Sequence, residues 1–353
     1  MRTQVFVLGL GPAGASAAAE AARRGAQVLA VDRKREAGRP VQCAGFVPAL
    51  VGTDVDNLAG SVRQGIRGMM TFVEDDAPDV QRDFPGQMLD RAAFDAALAA
   101  RAEQAGAQCR LGVSIRRISP AGRAELSDGT AVEAEVIVGA DGPRSLAGRA
   151  IGQINTALVE TRQLTVPLRM PHQATDIFLS AEIPGGYGWL FPKGAVANLG
   201  AGVDPAHKAQ LKRIVEQLHA ALTESGRVGG EVLGLTGGLI PVGGMLQPQG
   251  LLGDRLVLLA GDAAGLTHPI SGAGIAAAVH SGRLAGQAAA GWIAGDRAAG
   301  ADYQDELESV FKVALERAVR RRVELGRAHA SGARPGKPAL RRGWIAYPEY
   351  WAA

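Results

Sequence analysis

Four short runs of the chain are apolar without alternation: VFVLGL at 5–10, QVLAVD at 27–32, EVIVGAD at 135–141 and RLVLLAGD at 255–262. Such runs predict strands buried on both faces, as in a parallel sheet. Between the first two, residues 12–24 read as a helix, with Pro12 in its first turn and Gly25 past its end. Strand, helix and strand in this order make a βαβ unit. Residues 90–105 predict another helix: Asp90 can cap it, Phe94 and Leu98 lie one turn apart, and Gly106 stops it. Ser127-Asp128-Gly129-Thr130 reads as a hairpin turn. From about 155 to 250 the pattern shortens into mixed strands rich in Gly and Pro, with one helix near 206–225. An amphipathic helix at 301–325 carries Leu307, Val310, Phe311, Leu315 and Val319 on one face, and Arg320, Arg321 and Arg322 close it. The tail after 327 is rich in Gly, Pro and Arg, then aromatic.

Composition narrows the classes. The 353 residues suggest two lobes, and 47% hydrophobic with 21% charged is ordinary for a soluble chain. No apolar run reaches membrane-spanning length. The chain enters a strand at once with no signal peptide before it, so a cytoplasmic protein is expected. The net charge is only +3 and the positive residues are scattered, which argues against nucleic acid as a partner. Cys43 and Cys109 are too few for a disulfide framework, and His172, His207, His219, His280 and His329 show no ligand spacing, so no metal is expected.

Gly9-Leu10-Gly11-Pro12-Ala13-Gly14 follows a strand and opens a helix. Gly9 makes the tight turn, Gly11 lets a pyrophosphate approach the backbone, and Gly14 lets the helix pack on the strand. The helix N-terminus offers free N–H groups and partial positive charge. Asp32 ends the second strand at the spacing of a carboxylate that binds a ribose hydroxyl. These residues predict dinucleotide binding without separating one dinucleotide from another.

Two later segments carry a resemblance. They are Val138-Gly139-Ala140-Asp141-Gly142-Pro143-Arg144-Ser145 and Ala260-Gly261-Asp262-Ala263-Ala264-Gly265, the latter followed by Pro269-Ile270-Ser271-Gly272-Ala273-Gly274-Ile275. With the first motif they resemble the FAD-dependent p-hydroxybenzoate hydroxylase superfamily. Gly38–Gly45 (GRPVQCAG) and Pro184–Gly194 (PGGYGWLFPKG) are similar to segments of its geranylgeranyl reductase family. The resemblance covers roughly residues 1–290. It departs where Ala44-Gly45-Phe46 follows Cys43, since the family often has an acid there.

The resemblance implies an α/β fold: a Rossmann-type FAD-binding domain with an inserted α+β substrate domain. Its expected bounds are 1–60, 88–150 and 250–300 for the FAD-binding part, 61–87 and 151–249 for the β-rich substrate part, and 301–353 for a C-terminal helix and tail. FAD would be held by Gly9, Gly11, Pro12, Ala13, Gly14, Asp32, Arg33, Arg39, Cys43, Ala44, Arg91, Asp141, Gly142, Gly261, Asp262, Pro269, Gly272, Ala273, Gly274 and Ile275. Among these, Asp262 would take the flavin-side ribose, and the backbone from Gly272 would face the isoalloxazine. Cys43, Tyr187, Trp189 and His268 are the candidate catalytic residues. For Cys43 the alternative is an inert buried thiol, and for the Tyr187–Trp189–Phe191 alternation it is ordinary sheet packing. His268 is either a proton donor or a packed loop residue. Cys109 reads as structural. Lys193 reads as a turn residue, with an anionic head group as the alternative.

The implied activity is hydrogenation of a C=C bond in a prenyl or other apolar substrate by reduced flavin. No second GxGxxG follows a strand, so NAD(P)H or reduced ferredoxin would supply electrons transiently. A monooxygenase, a halogenase, and an electron donor to a redox protein such as an iron–sulfur or radical-SAM enzyme remain alternatives. Trp344, Tyr347, Tyr350 and Trp351 follow Arg341 and Arg342. They suit a peripheral membrane contact or partner groove, or a tail folded back onto the body.

Overall fold

A computed structural model describes residues 1–49, 60–330 and 334–352, excluding the side chains of 328–330. The segment 50–59 of the first expected domain and the His329 side chain therefore lie outside the described residues.

The four wholly apolar runs lie side by side. Val5–Leu8, Val28–Asp32, Val136–Gly139 and Arg255–Leu259 are joined by Gln108–Leu111 and Gln249–Leu252 in one six-stranded sheet. Every pairing is parallel except that of Gln249–Leu252 with Arg255–Leu259. The helix Pro12–Arg23 packs on this sheet and against the helix Ile275–Ile293. A Cβ on Gly282 would stand 2.1 Å from the Ala13 carbonyl oxygen, and one on Gly286 would stand 2.5 Å from that of Ala17. The two helices thus touch backbone to side-chain-free backbone. Helix Arg91–Gln104 begins as its sequence predicts, with Asp90 accepting from the Ala92 and Ala93 amides and with Phe94 and Leu98 buried. The predicted hairpin joins Ala124–Leu126 to Ala131–Val132, with Gly129 at φ +87°.

The mixed region builds a seven-stranded sheet in the order Gly234–Pro241, Leu158–Pro167, Val196–Val203, Gly188–Lys193, Ala174–Leu179, Gly68–Val73 and Asp79–Gln81. All neighbours are antiparallel except Ala174–Leu179 with Gly68–Val73. Helix Lys208–Glu224 covers its outer face through Leu211, Ile214, Val215 and Leu222. A three-stranded sheet, Phe46–Pro48, Gly86–Leu89 and Val62–Ile66, stands beside it.

The last long helix runs Ala299–Ala330, so Arg320–Arg322 sit within it instead of closing it. No proline falls between Ala299 and Pro335, and the interior Gly326 is tolerated. Its buried seam is Tyr303, Leu307, Leu315 and Ala318, and Val310 falls off this seam into solvent. The tail continues as the short helices Lys337–Arg342 and Pro348–Trp351. Trp344, Tyr347 and Tyr350 are buried, so the aromatic tail lies against the body, with Trp351 exposed under Arg317. Among the described residues, no helix is long and apolar enough to cross a membrane.

Candidate functional site

One cavity of about 820 Å³ runs from the glycine turn after Val5–Leu8 to the inner face of the seven-stranded sheet. It gathers residues far apart in the chain: Gly9, Gly11, Pro12 and Ala13; Asp32 and Arg33; Cys43 and Ala44; Arg91; Asp141 and Gly142; Tyr187 and Trp189; Gly261 and Asp262; Pro269 and Gly272–Ile275.

At the first end, Gly9 adopts φ +92°, and a Cβ on it would stand 2.4 Å from the Ala140 carbonyl oxygen. A Cβ on Gly14 would strike the Gly9 carbonyl oxygen at 1.8 Å, so Gly14 lies in the packing and does not line the cavity. Gly11 differs: its φ is −70° and a Cβ there meets nothing within 4 Å. The bareness of Gly11 therefore serves the space beside it and not the fold. Asp32 accepts from the Leu10 and Lys34 amides, each at 2.8 Å, which fixes its carboxylate beside the turn.

The cavity has the donor set for a dinucleotide. Two helices, Pro12–Arg23 and Ile275–Ile293, point their N-termini at it, and neither has a side-chain cap. Uncapped helix starts leave N–H groups free and carry partial positive charge, which suits a pyrophosphate and an electron-rich ring. Gly142 adds a backbone position at φ +86° with open space where a side chain would stand. The residues present fit FAD.

Asp262 lines the middle of the cavity and accepts from the Thr267 hydroxyl at 2.6 Å. Burial raises its carboxyl above the usual range, against the Thr267 hydrogen bond and the Arg91 charge. Asp141 is raised likewise by burial, and accepts from the Ser145 hydroxyl and the Leu146 amide. Arg91 forks onto Asp95 at 3.0 and 3.1 Å, with Cys43 within electrostatic reach of its guanidinium.

The Cys43 segment is pinned between the sheets. Asn198 donates from Nδ2 to the Ala44 carbonyl at 2.8 Å, and Thr236 donates to the Val41 carbonyl at 2.7 Å. The Cys43 sulfur accepts from the Gly45 amide at 3.3 Å. Facing it, Tyr187, Trp189 and Phe191 form a continuous aromatic wall, with centroids 5.8 and 6.4 Å apart. The Trp189 indole N–H donates to Gln163 Oε1 at 3.2 Å. Gly200 makes room for the indole, since a Cβ there would lie 2.5 Å from its ring. Trp344 of the tail packs on Tyr187 at 4.8 Å and completes the wall with Ile345.

The structure leaves some expected residues out. The Arg39 side chain is exposed and pairs with Glu36 at 3.0 Å, away from the lining. His268 also stands behind the lining. Its Nδ1 accepts from the Ser271 and Ile270 amides at 3.2 and 3.4 Å, which puts its proton on Nε2, facing the Tyr350 hydroxyl at 3.4 Å. Burial pushes the imidazole down to about 4. His268 is thus neutral near pH 7 and shapes the loop before Ile275. Lys193 ends its strand outside the lining. Cys109 is half-buried in an edge strand, its thiol pushed up by burial to about 11. Gln163, Asn198, Thr236, Arg322 and Trp344 reach the site or its support without any motif to announce them. Gly202, Gly237 and Gly238, which line the cavity, are the sequence signal of a sheet face kept bare.

Comparison with known proteins agrees with this geometry. Residues 157–240, which include the aromatic wall, match the geranylgeranyl reductase catalytic domain. The digeranylgeranylglycerophospholipid reductase of Methanothrix thermoacetophila is 32% identical over 314 residues, covering 80% of this chain and 76% of that protein. Digeranylgeranylglycerophospholipid reductase 1 of Methanopyrus kandleri is 34% identical over 307 residues, covering 80% and 79%. The crystal structure of a geranylgeranyl bacteriochlorophyll reductase-like protein from Thermoplasma acidophilum superposes with a TM-score of 0.84 at 25% identity, covering 96% of this chain and 89% of that one. A probable FAD-dependent monooxygenase, PqsL of Pseudomonas aeruginosa, reaches 0.69 at 17% identity over 96% and 98% of the two chains, a likeness of fold alone. On these grounds the chain belongs to the geranylgeranyl reductase family of FAD-dependent oxidoreductases.

Proposed function

We propose that the protein hydrogenates C=C bonds in the geranylgeranyl chains of a membrane lipid. One observation carries this reading: a single cavity joins a dinucleotide-binding turn to an apolar slot walled by Tyr187, Trp189 and Phe191. The segments 1–60, 88–150 and 250–300 act as the Rossmann-type FAD-binding body, and 61–87 with 151–249 as the substrate body. The lipid reductase names of the relatives supply the substrate class.

When bound and reduced, FAD supplies the hydride, and reduction of each double bond also requires one proton. Gly11 and the start of Pro12–Arg23 would hold the pyrophosphate, Asp32 would take a ribose hydroxyl and Asp262 a hydroxyl of the flavin-side sugar chain, and Gly272–Ile275 would present a helix start to the flavin ring. The aromatic wall aligns a flat, apolar chain against that ring and excludes water. Cys43 delivers the proton: it lines the cavity, held there by the Gly45 amide donating to its sulfur. The Arg91 guanidinium lies within electrostatic reach of the same sulfur. NAD(P)H or reduced ferredoxin supplies the electrons. The protein works in the cytoplasm, in peripheral contact with the membrane that holds its lipid.

The reading is tested by loading the protein with FAD, reducing it anaerobically with dithionite and adding a geranylgeranyl phospholipid. Mass spectrometry should show the gain of one H₂ per bond reduced. An unchanged lipid mass with a bound, reduced flavin would overturn the proposal.

A further inference from the structure

The three consecutive arginines of the long helix face three ways. Arg320 is exposed. Arg321 is buried and fully used: Nε donates to the Tyr350 carbonyl at 3.0 Å, Nη1 binds Glu324, and Nη2 reaches the Ala352 carbonyl. Arg322 lines the cavity, its Nη2 lying 3.4 Å from where a Cβ on Gly185 would stand.

The other charged residues of the lining come from the dinucleotide segments at 32–34, 91–95, 141–144 and 262. Arg322 alone among the described lining residues brings charge to the sheet-and-tail side, where Gly185, Gly186, Tyr187 and Trp344 also line the cavity. Asp204 is the described carboxylate that acts on it, and that acid is engaged elsewhere, accepting from the Ala206 amide at 3.0 Å. Among the described residues, none forms an ion pair with Arg322. Burial pulls the guanidinium down and Asp204 pulls it up. It stays charged at any physiological pH. A guanidinium held in an apolar wall, with its forked donors open, is a receptor for paired anionic oxygens.

We propose that Arg322 binds the phosphate group at the polar end of the substrate, and so sets which stretch of the prenyl chain lies on the Tyr187–Trp189–Phe191 wall. This rests on the lipid-reductase reading above. A bare helix surface would bind any anion, whereas this guanidinium is reached through the cavity. The ligand is therefore a phosphate covalently attached to an apolar chain.

The test uses dithionite-reduced, FAD-loaded protein and two substrates, a geranylgeranyl phospholipid and uncharged geranylgeraniol. Arg322→Gln should lower the ratio of kcat/KM for phospholipid over alcohol by about tenfold, through KM. Arg322→Lys, which keeps the charge and loses the fork, should lower it less, and serves if the Gln variant does not fold. Inorganic phosphate should inhibit phospholipid reduction only weakly in the unaltered protein, since the apolar chain is part of the recognition. An unchanged ratio in both variants would overturn the proposal while leaving lipid reduction intact. So would inhibition by free phosphate as strong as by the phospholipid's own head group, or a KM effect seen only when NADPH replaces dithionite. If the unaltered protein reduces neither substrate, lipid reduction and the headgroup site fall together.

Discussion

The phenol of Tyr187 donates to the Ser271 carbonyl across 2.6 Å, tying the aromatic wall to the loop before the helix Ile275–Ile293. Burial, and then the neighbouring Cys43, push the phenol's pKa up, so the proton stays on oxygen and the bond persists at every working pH. Tyr187→Phe keeps the ring and orphans a carbonyl. We expect a loss of about 1 kcal/mol in unfolding free energy, with FAD retained and kcat/KM reduced. Urea unfolding and steady-state kinetics check both parts, and an unchanged kcat/KM would show that the bond is structural only.

Gly11 and Gly14 should separate ligand from fold. A Cβ on Gly14 collides with the Gly9 carbonyl oxygen, while a Cβ on Gly11 meets open space. Gly14→Ala should destabilise the apoprotein by several kcal/mol, in the range of about 1–3 or more seen for overpacking. Gly11→Ala should leave the apoprotein melting temperature unchanged and weaken FAD binding by about tenfold. Calorimetry on the apoproteins and flavin fluorescence titration distinguish the two. Equal FAD affinity in Gly11→Ala would mean that no pyrophosphate passes that position.

If Cys43 delivers the proton as proposed above, Cys43 and Asn198 should act on one step. Cys43→Ala should cut turnover about 100-fold, the scale of a lost general acid, with FAD content preserved. Asn198→Ala removes the donor to the Ala44 carbonyl and leaves the thiol present on a segment with one tie fewer. Its rate should fall less than that of Cys43→Ala, and the double variant should be no slower than Cys43→Ala alone. Additive losses in the double variant would contradict a shared role.

His268 should govern acid stability. Its imidazole is pushed down to about 4 by burial. The unfolded chain takes up that proton near pH ~6.5, while the folded protein resists it. The histidine's contribution is therefore complete above pH ~6.5 and is lost as pH falls toward about 4. Protonation of Nδ1 would also end its acceptance from the Ile270 and Ser271 amides. His268→Gln should flatten the decline of the urea midpoint between pH ~6.5 and ~5. Parallel declines in the two proteins would rule this out.

The parallel sheet was legible because its strands, Val5–Leu8 and Val136–Gly139 among them, are buried on both faces and carry no competing pattern. The glycine turn was legible because steric demand at Gly9 and Gly14 leaves little choice of residue. Arg322 was not. Its sequence neighbours share its charge, and only the tail's return across the body decides that Arg321 ties down Tyr350 while Arg322 faces the cavity. Trp344 reads locally as an amphipathic tail residue, and its burial depends on Gln81 and Asp79, more than 250 positions away, which bind Ala346 and Tyr347. In the sequence His268 reads equally as a proton donor and as a packed loop residue. The amides two and three residues on claim its Nδ1, and no spacing rule reveals that.

As proposed, one cavity brings a reduced flavin against a prenyl chain. Anaerobic rapid mixing of the FAD-loaded, dithionite-reduced protein with a geranylgeranyl phospholipid tests it most directly, by following flavin absorbance. Reoxidation is expected in the absence of oxygen, at a rate that rises with lipid concentration. A flavin that stays reduced until air is admitted would contradict it.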